Sequence, residues 1–600
     1  MPSSWRALRA WCAVLLALAA CVPIPAAAAA PDKVLRVAFS IAETSFDPAF
    51  ASDAASDDII ENIFDAMLDY DYLARPVMLV PRALESMPTI EDGGRSYLCR
   101  VRKGVYFTPD PAFKGHRREL VAADFVYALK RLLDPAVKSP WVFLIDGKVV
   151  GAHEAFERAE KTGRFDYDAP IAGLQLVDRY TLRIRLLAPD LRFSYVLAVP
   201  NIAGQAREVV EAYGPDIGAH PVGTGPYRLG EYRRNTRIVL EANPDHRQDT
   251  YEPAGPIPAA SQPVAAALRG RKLPLPSRIE VNIIEESQAR MLAFLDRQLD
   301  LLEIVPIDFV DQVLDANGKL LSTLAAKGIV HDVLLRPNSW WTYFNMEDPL
   351  VGGYTPDKIA LRRAIAMGYD NATGIRVLLK GRGAPAKGPI PPDIAGYDPA
   401  LRTDAQIYDP AAARALLDRF GYKDRDGDGY RENPDGKPLT LERWSAPNST
   451  TRQADELWRR NMDAIGLRIE FKKDRTAELR KMARQGKIPM RADGWNADYP
   501  DAENFMQLLY GPSGPENNAR FKLPAFDRLY ERARTLPDGP ERTKLFDRMT
   551  ELVIAYAPFR MTYHLLEDNV HHRWVSNYVP HPIRSQWWQY LDVDAAARSR

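Results

Sequence analysis

The sequence predicts a mixed α/β protein that is divided into several lobes. Every second residue is apolar, as is typical of β-strands, at residues 35–39, 182–186 and 279–283. Elsewhere, apolar residues recur three or four positions apart, as is typical of helices. Both patterns are distributed along 600 residues, and domains commonly hold about 100–200 residues, so we expect an α/β or α+β chain with three or four domains.

Three helices are predicted in the second half of the chain from their apolar spacing and end signals. The first begins after Asp409, a good N-cap, and ends at Gly421. The second ends at Gly466, which leads directly into a strand, and the third ends at Pro558. By contrast, residues 251–276 are rich in proline and alanine, which predicts a surface insertion or loop.

The first thirty residues have the pattern of an export signal. Arg6 and Arg9 precede an apolar run, residues 10–20, that is too short to span a bilayer. Small residues follow and end at Ala30, where we expect cleavage. In an alternative interpretation, Cys21 closes a lipoprotein box and becomes a lipidated N-terminus. Both interpretations predict an exported protein.

The composition excludes several function classes. The 79 lysines and arginines equal the 79 aspartates and glutamates and are mixed with them, which argues against a nucleic-acid partner. Cys12 lies in the predicted signal, and Cys99 lies in a predicted strand, so no intrachain disulfide or cysteine metal site is expected. Neither His-Glu-x-x-His nor Gly-x-Ser-x-Gly is present, which disfavours a metalloprotease or serine hydrolase.

Six short motifs occur in an order and at a spacing that make a chance match unlikely, although each motif alone is weak evidence. They lie at residues 45–48, 97–107, 123–131, 223–227 (Gly-Thr-Gly-Pro-Tyr), 408–417 and 495–501 (Trp-Asn-Ala-Asp-Tyr-Pro-Asp). With them the chain resembles the family 5 extracellular solute-binding proteins, the oligopeptide- and dipeptide-binding proteins of ABC importers. The resemblance extends over nearly the whole chain after the signal.

The resemblance implies a two-lobed periplasmic-binding-protein clam-shell with an extra domain, of the class II or cluster C type. It divides the chain into a signal peptide at 1–30, a discontinuous lobe I at 32–72, 173–340 and 565–600, an extra domain at 73–172, and lobe II at 341–564.

The resemblance also implies a function in capture without chemistry. A monomer in the periplasm would hold an oligopeptide or dipeptide between its lobes and deliver it to a membrane permease. A sugar, metal chelate or haem remains open as the ligand, as does a sensor role, and an exported hydrolase is the alternative from another class. His564, His571, His572 and His581 could serve a metal or haem, or could be ordinary histidines with protein partners.

Asp498 is the principal candidate for ligand binding. In peptide-binding relatives, the aspartate of the Trp-x-x-Asp motif pairs with the α-ammonium of the ligand. An ammonium that is stripped of water needs such a carboxylate. The alternatives are that Asp498 caps a turn before Pro500 or pairs with a protein arginine.

Four aromatic residues are further candidates, because their faces can line ligand pockets. They are Trp495, Tyr499, Trp444 and Tyr343, and ordinary core packing is the alternative for each. The loop 446–451, where some relatives carry an anchoring arginine, is short here, so no partner for a ligand carboxylate is assigned.

Residues 424–435 resemble a calcium loop. Asp424, Asp426 and Asp428 fall at positions one, three and five, and a glycine follows at position six. Glu432 would be position nine, and Asp435 occupies position twelve, where glutamate is expected. A structural calcium ion is one interpretation, a plain acidic turn is the other, and no further cofactor is expected.

Overall fold

The first lobe is built on a four-stranded mixed sheet, here called sheet 1. Its strands, in spatial order, are Val34–Phe39, Arg278–Ile283, Arg237–Ala242 and Tyr227–Arg233. The first two are parallel and the other neighbours antiparallel. Alternate residues of Val34–Phe39 are buried, which confirms the strand predicted at 35–39. The computed structural model describes residues 33–403, 407–584 and 587–598, so the predicted signal and Cys21 lie outside the described residues.

A second antiparallel sheet, sheet 2, forms the extra domain. It consists of Thr89–Glu91, Ser96–Arg100, Thr181–Arg185 and Leu174–Asp178, in that order. The last two strands continue this sheet beyond residue 172, where the sequence placed the border of the extra domain, because Thr181–Arg185 pairs residue by residue with Ser96–Arg100. The other domain borders stay predictions. Cys99 is buried in this sheet, and burial raises the pKa of its thiol to about 12, which keeps it unreactive.

The second lobe is built on a five-stranded sheet, sheet 3. Its order is Arg468–Lys473, Thr440–Ser445, Met490–Asn496, Asn338–Phe344 and Phe559–Met561. Apolar cores lie on both of its faces, under the helices Pro410–Arg419, Ser449–Asp463, Pro524–Thr535 and Pro540–Tyr556. The predicted cap is confirmed, because the side chain of Asp409 accepts a hydrogen bond of 2.8 Å from the backbone of Ala412.

The two lobes are joined by a connecting sheet of Leu301–Leu302, Tyr563–His572 and Ile329–Leu335, with Gly383–Pro385 paired to the long strand. The chain passes directly from Ile329–Leu335 into sheet 3, and returns from sheet 3 into Tyr563–His572. A hydrogen bond of 2.8 Å from the backbone of Thr562 to that of Trp340 ties these two crossings together. The arrangement is the expected two-lobed clam-shell of mixed α/β content.

The remaining elements are two small strand pairs and a set of further helices. The small strand pairs are Leu68–Tyr70 with Leu79–Pro81 and Val575–Ser576 with Asp592–Val593. The remaining helices are Ala54–Ile63, Ala122–Leu132, Ala152–Thr162, Phe193–Val196, Arg207–Tyr213, Gln262–Leu268, Ser287–Leu295, Val310–Val313, Ser322–Ala325, Pro356–Gly368, Asn371–Leu378, Thr476–Arg484, Glu503–Met506 and Ala595–Arg598. Gln262–Leu268 falls in the stretch that was expected to be irregular. Within the described ranges, no helix has both the length and the apolarity that a membrane crossing requires.

The glycines of the Gly-Thr-Gly-Pro-Tyr motif hold the helix Ala54–Ile63 in place. A Cβ atom at Gly223 would lie 2.0 Å from the carbonyl oxygen of Ile63, and Gly225 donates a backbone hydrogen bond of 2.8 Å to the same oxygen. Only glycine permits so close an approach of two backbones. The motif therefore fixes the end of a helix that lines the cleft between the lobes.

Candidate ligand-binding site

A cavity of about 520 Å³, here called the large cavity, lies between the lobes. Its first-lobe wall comes from the helix Ala54–Ile63, from residues 195–201 and from residues 583–584, and its second-lobe wall comes from Asn496 and Asp498. The volume is in the range of small-molecule sites, about 300–1,000 Å³. A ligand held here would contact both lobes.

Asp498 lies just after the strand Met490–Asn496 and is held by one buried amide. Its backbone N–H donates to Oδ1 of Asn504 at 3.0 Å, and Nδ2 of Asn504 donates to its Oδ2 at 2.8 Å. The indole Nε1 of Trp495 donates to the same Oδ1 at 3.1 Å. Asn504, whose surface is 0% exposed, thus fixes both residues of the Trp-x-x-Asp motif. Sequence reasoning missed Asn504, although it lies six residues beyond the motif's aspartate.

The carboxylate of Asp498 has no basic partner in the described part of the chain, where no lysine, arginine or histidine nitrogen lies within 4.0 Å of it. The proposed alternative of an arginine pair is therefore not seen. Desolvation between the walls of the cleft raises the pKa of Asp498 above its ordinary value, and hydrogen bonds from Asn504 and Trp495 lower it. A cationic group of a ligand would supply the missing charge.

The turn that follows Pro500 is capped by Asp501 and not by Asp498. Oδ1 of Asp501 accepts a backbone hydrogen bond of 2.8 Å from Glu503. This leaves the side chain of Asp498 free of that structural duty and exposed to the cleft.

Tyr499 lies where the two lobes meet, whereas Trp495 lines a cavity within the second lobe. The ring of Tyr499 stacks on Tyr195, with centroids 5.2 Å apart and planes inclined by 13°. Tyr195 lines the large cavity on one side, and on the other it lines a smaller one of about 220 Å³ that also includes Tyr499. The stacked pair therefore separates the two cavities. The hydroxyl of Tyr499 donates to Glu503.

 Trp444 and Tyr343 pack in the second lobe and not in the cavity between the lobes. The indole Nε1 of Trp444 donates to Glu442 within its own strand at 2.5 Å, and the ring packs on the apolar core of the second lobe. Tyr343 is buried in that core with 0% of its surface exposed. Neither Trp444 nor Tyr343 lines the large cavity, because both side chains face the helices that cover sheet 3. For these two residues, the structure matches the core-packing alternative.

Another cavity, of about 290 Å³, contains several arginines and was not predicted from the sequence. It is lined by Arg480 and Arg484 of one helix, by Arg491 of sheet 3 and by Trp495, together with the acids Asp493 and Glu516. None of these arginines forms an ion pair with a carboxylate within the described ranges. The spacing of Arg480 and Arg484, one helical turn apart, was the available signal.

An ion-pair cluster around Asp501 crosses between the lobes. Nε of Arg192, whose neighbour Phe193 packs in the core of sheet 2, donates to Oδ2 of Asp501 at 2.9 Å. Asp501 also accepts two hydrogen bonds, of 2.6 and 2.7 Å, from Arg542 of its own lobe. When the lobes separate and Arg192 moves away, Asp501 keeps its ion pair with Arg542 and is not left as an unpaired buried charge. The contact can therefore open and close without the large cost of an isolated charge.

The acidic loop brings together Asp424, Asp426, Asp428 and Glu432, with one oxygen of each within 4.8 Å of the others. Asp435, predicted as position twelve, pairs instead with Lys437 at 2.8 Å. The cluster is mostly exposed, and its carboxylates also accept backbone hydrogen bonds of the turn. The calcium interpretation stays a prediction.

That prediction is checked by thermal unfolding. If the loop holds calcium, millimolar calcium should raise the unfolding temperature, because an ion that binds only the folded state stabilises it. A chelator should reverse the gain, and D424N combined with D426N should abolish it. An unfolding temperature that is the same with calcium and with chelator would contradict the calcium interpretation and leave the acidic turn.

The four histidines are buried and engaged by the protein. Each has a hydrogen-bonding contact with a backbone oxygen: His564 with Asn338, His571 with His572, His572 with Phe294, and His581 with Asp71. These contacts match the interpretation of ordinary histidines and do not favour a haem or metal role.

Comparisons with known proteins agree with this architecture. A family model described as "Bacterial extracellular solute-binding proteins, family 5 Middle" matches residues 78–517. A di/tripeptide-binding protein 2 of Pseudomonas aeruginosa is 26% identical over 97% of this chain and 98% of its own. Heme-binding protein A of Haemophilus influenzae is 26% identical over 80% of this chain and 77% of its own.

Among solved structures, the periplasmic binding protein DppA of Helicobacter pylori, in complex with the peptide STSA, superposes with a TM-score of 0.67 at 21% identity. The superposition covers 93% of this chain and 98% of that one, which supports the same fold over the described lobes. The match of the family model extends over more than two thirds of the sequence. The chain therefore belongs to the bacterial extracellular solute-binding proteins of family 5.

Proposed function

We propose that this protein is the solute-binding subunit of a bacterial ABC importer and captures short peptides with a free amino terminus. The observation that carries the proposal is the carboxylate of Asp498, which Asn504 orients at the wall of a two-lobe cavity and which lacks a basic partner among the described residues. The relative named as a di/tripeptide-binding protein and the structure solved with the peptide STSA support a peptide over other ligands.

The two ends of a short peptide have complementary partners here. Its α-ammonium would pair with Asp498, and its carboxylate would meet Arg484 and Arg491 in the neighbouring cavity. Trp495 connects the two places, because its ring lines the arginine cavity while its indole N–H shares the amide of Asn504 with Asp498. Charge-assisted hydrogen bonds at both ends would fix the orientation of the peptide.

Capture would proceed by closure of the lobes. A ligand that contacts both walls stabilises the closed form only by its greater affinity for that form. The loaded, closed protein would then dock on a membrane permease. Export by the signal at residues 1–30, or anchoring through Cys21, belongs to the same proposal and is checked by the mass of the mature N-terminus.

We propose capture without chemistry. The described wall of the large cavity contains no serine, cysteine or histidine, so the nucleophile and base of an ordinary hydrolase are missing from it. The expected result of incubation with a bound peptide is its recovery intact.

The function is tested by isothermal titration of the purified protein with a tripeptide, its N-acetylated form and haemin. The proposal predicts binding of the free tripeptide with a much weaker response to the acetylated form, because acetylation removes the charge that Asp498 would pair. Tight binding of haemin, with no response to either peptide, would overturn the peptide assignment.

The contact between Arg192 and Asp501 should lengthen the time that ligand stays bound. R192M removes this ion pair and a second one with Asp538 at 2.9 Å, both from an arginine side chain that is 10% exposed. We therefore expect the peptide to dissociate about three- to tenfold faster in stopped-flow fluorescence. R207M is the matched control, because Arg207 pairs with Asp168 and Glu211 away from the second lobe. Equal dissociation rates in R192M and R207M would show that the contact does not hold the lobes closed.

A further inference from the structure

The charges on the wall of the large cavity do not balance. Three arginines and four carboxylates line it: Arg82, Arg336, Arg584, Asp57, Glu61, Asp69 and Asp498. The partners of each group show where the excess lies.

The arginines are already paired with carboxylates of the protein. Nε of Arg82 donates to Asp65 at 2.7 Å, and Arg336 binds Glu567 through two contacts of 2.9 and 3.0 Å. Arg584 donates to Asp69, and its Nε lies 3.6 Å from Glu61. The positive charges on the cavity wall are therefore neutralised by ion pairs with neighbouring carboxylates.

The acids differ in the charge that they carry near neutral pH. Burial raises the pKa of Glu61 to about 8, so this carboxyl is mostly protonated there. Burial raises the pKa of Asp57 only to about 6, because a hydrogen bond from Asn201 lowers it, although the nearby Asp53 raises it. Asp57 is thus mostly ionised.

Asp57 repeats the arrangement of Asp498 on the opposite wall. Its Oδ1 accepts a hydrogen bond of 3.1 Å from Nδ2 of Asn201, an amide that is 1% exposed and also donates to backbone oxygens of Pro48 and Ala51. Within the described ranges, no lysine, arginine or histidine nitrogen lies within 4.0 Å of the Asp57 carboxylate. Each lobe therefore presents one oriented carboxylate without a basic partner.

We propose that the cleft selects peptides with two positive groups, a free α-ammonium and a lysine or arginine side chain beside it, and that Asp57 receives the second. This inference rests on the proposed peptide function and names its ligand class. The two carboxylates lie on opposite walls and lack cationic partners from the protein. A ligand with two cationic groups could pair with both, and these ion pairs would offset the cost of removing the charges from water. A merely structural role, in which Asp57 stabilises the first turn of the helix Ala54–Ile63, predicts no preference among ligands.

The experiment compares two peptides of equal length, lysyl-alanyl-alanine and norleucyl-alanyl-alanine, by isothermal titration. Norleucine keeps the four-carbon stem of lysine and removes its charge. The full chain should bind the lysine peptide about tenfold more tightly, as one added charge-assisted contact implies. In D57N the ratio of the two dissociation constants should approach one. In D357N, which removes an acid from the first turn of another helix, the ratio should stay as in the natural chain.

The outcomes separate this inference from the proposed function. Equal affinity of the natural chain for both peptides would overturn the second-cation inference and leave peptide capture intact. A ratio unchanged by D57N would likewise remove Asp57 as the receiving group. Binding of neither peptide, with folding verified by circular dichroism, would overturn the proposed function and the inference together.

Discussion

Replacing Asp498 with alanine should lower the affinity for a peptide with a free amino terminus by about thirtyfold or more. Truncating one partner of a buried, hydrogen-bonded charge pair costs about 2–5 kcal/mol, much of it from the charge that is left unpaired. Because Asn504 keeps its contact with Trp495, we expect the fold to stay intact. Isothermal titration measures the affinity, and circular dichroism checks the fold.

Two controls make the Asp498 result specific. An N-acetylated peptide should lose affinity for the natural chain but show little further loss with D498A, since its charge is already absent. E551Q removes an exposed carboxylate of the same lobe, which pairs with Arg548 on the surface, and should leave affinity unchanged. Unchanged affinity of D498A for the free-amine peptide would rule out the anchoring role.

Replacing Arg542 with methionine should destabilise the protein by about 3–5 kcal/mol. Its guanidinium is 2% exposed and binds the carboxylate of Asp501, which is 1% exposed, and breaking such a buried pair on one side is strongly destabilising. Arg192, the other partner of Asp501, belongs to the opposite lobe and holds this carboxylate only while the lobes are in contact. Arg542 also donates to the carbonyl oxygen of Ala533 at 3.0 Å, and that acceptor would keep only the longer backbone hydrogen bond of 3.4 Å from Leu536. Urea unfolding followed by tryptophan fluorescence gives the change in midpoint.

R548M is the matched control for R542M. Arg548 lies on the same helix, and its ion pair with Glu551 is exposed, with 62% and 58% of the two side chains accessible. Exposed pairs contribute about 0–1 kcal/mol, so its midpoint should hardly move. A loss in R542M no larger than that in R548M would contradict the account of Asp501 as a carboxylate that depends on Arg542.

Local signals in the sequence predicted the regular elements well. The alternation at residues 35–39 became a strand because one of its faces packs on a core, and Asp409 caps its helix as its side chain allows. The border of the extra domain was harder. The strand Thr181–Arg185 pairs with Ser96–Arg100, more than eighty residues earlier, and no local pattern specifies that partner.

Residues of the site could be predicted from the sequence only where they belong to a recognisable motif. The Trp-x-x-Asp motif pointed to Asp498, which the structure places at the cleft, whereas aromatic character alone could not distinguish a cleft residue from Tyr343 in the core. Asp57 and Arg192 gave no signal in the sequence. Their importance comes from what faces them across the lobes, and that depends on contacts between distant parts of the chain.

The most direct measurement is native mass spectrometry of the protein purified from its host, followed by mild denaturation to release and identify what it carries. The account predicts a set of short peptides with free amino termini, rich in lysine or arginine near that end. A single non-peptide species, such as haem or a metal chelate, would contradict the central claim that the cleft is built for peptides.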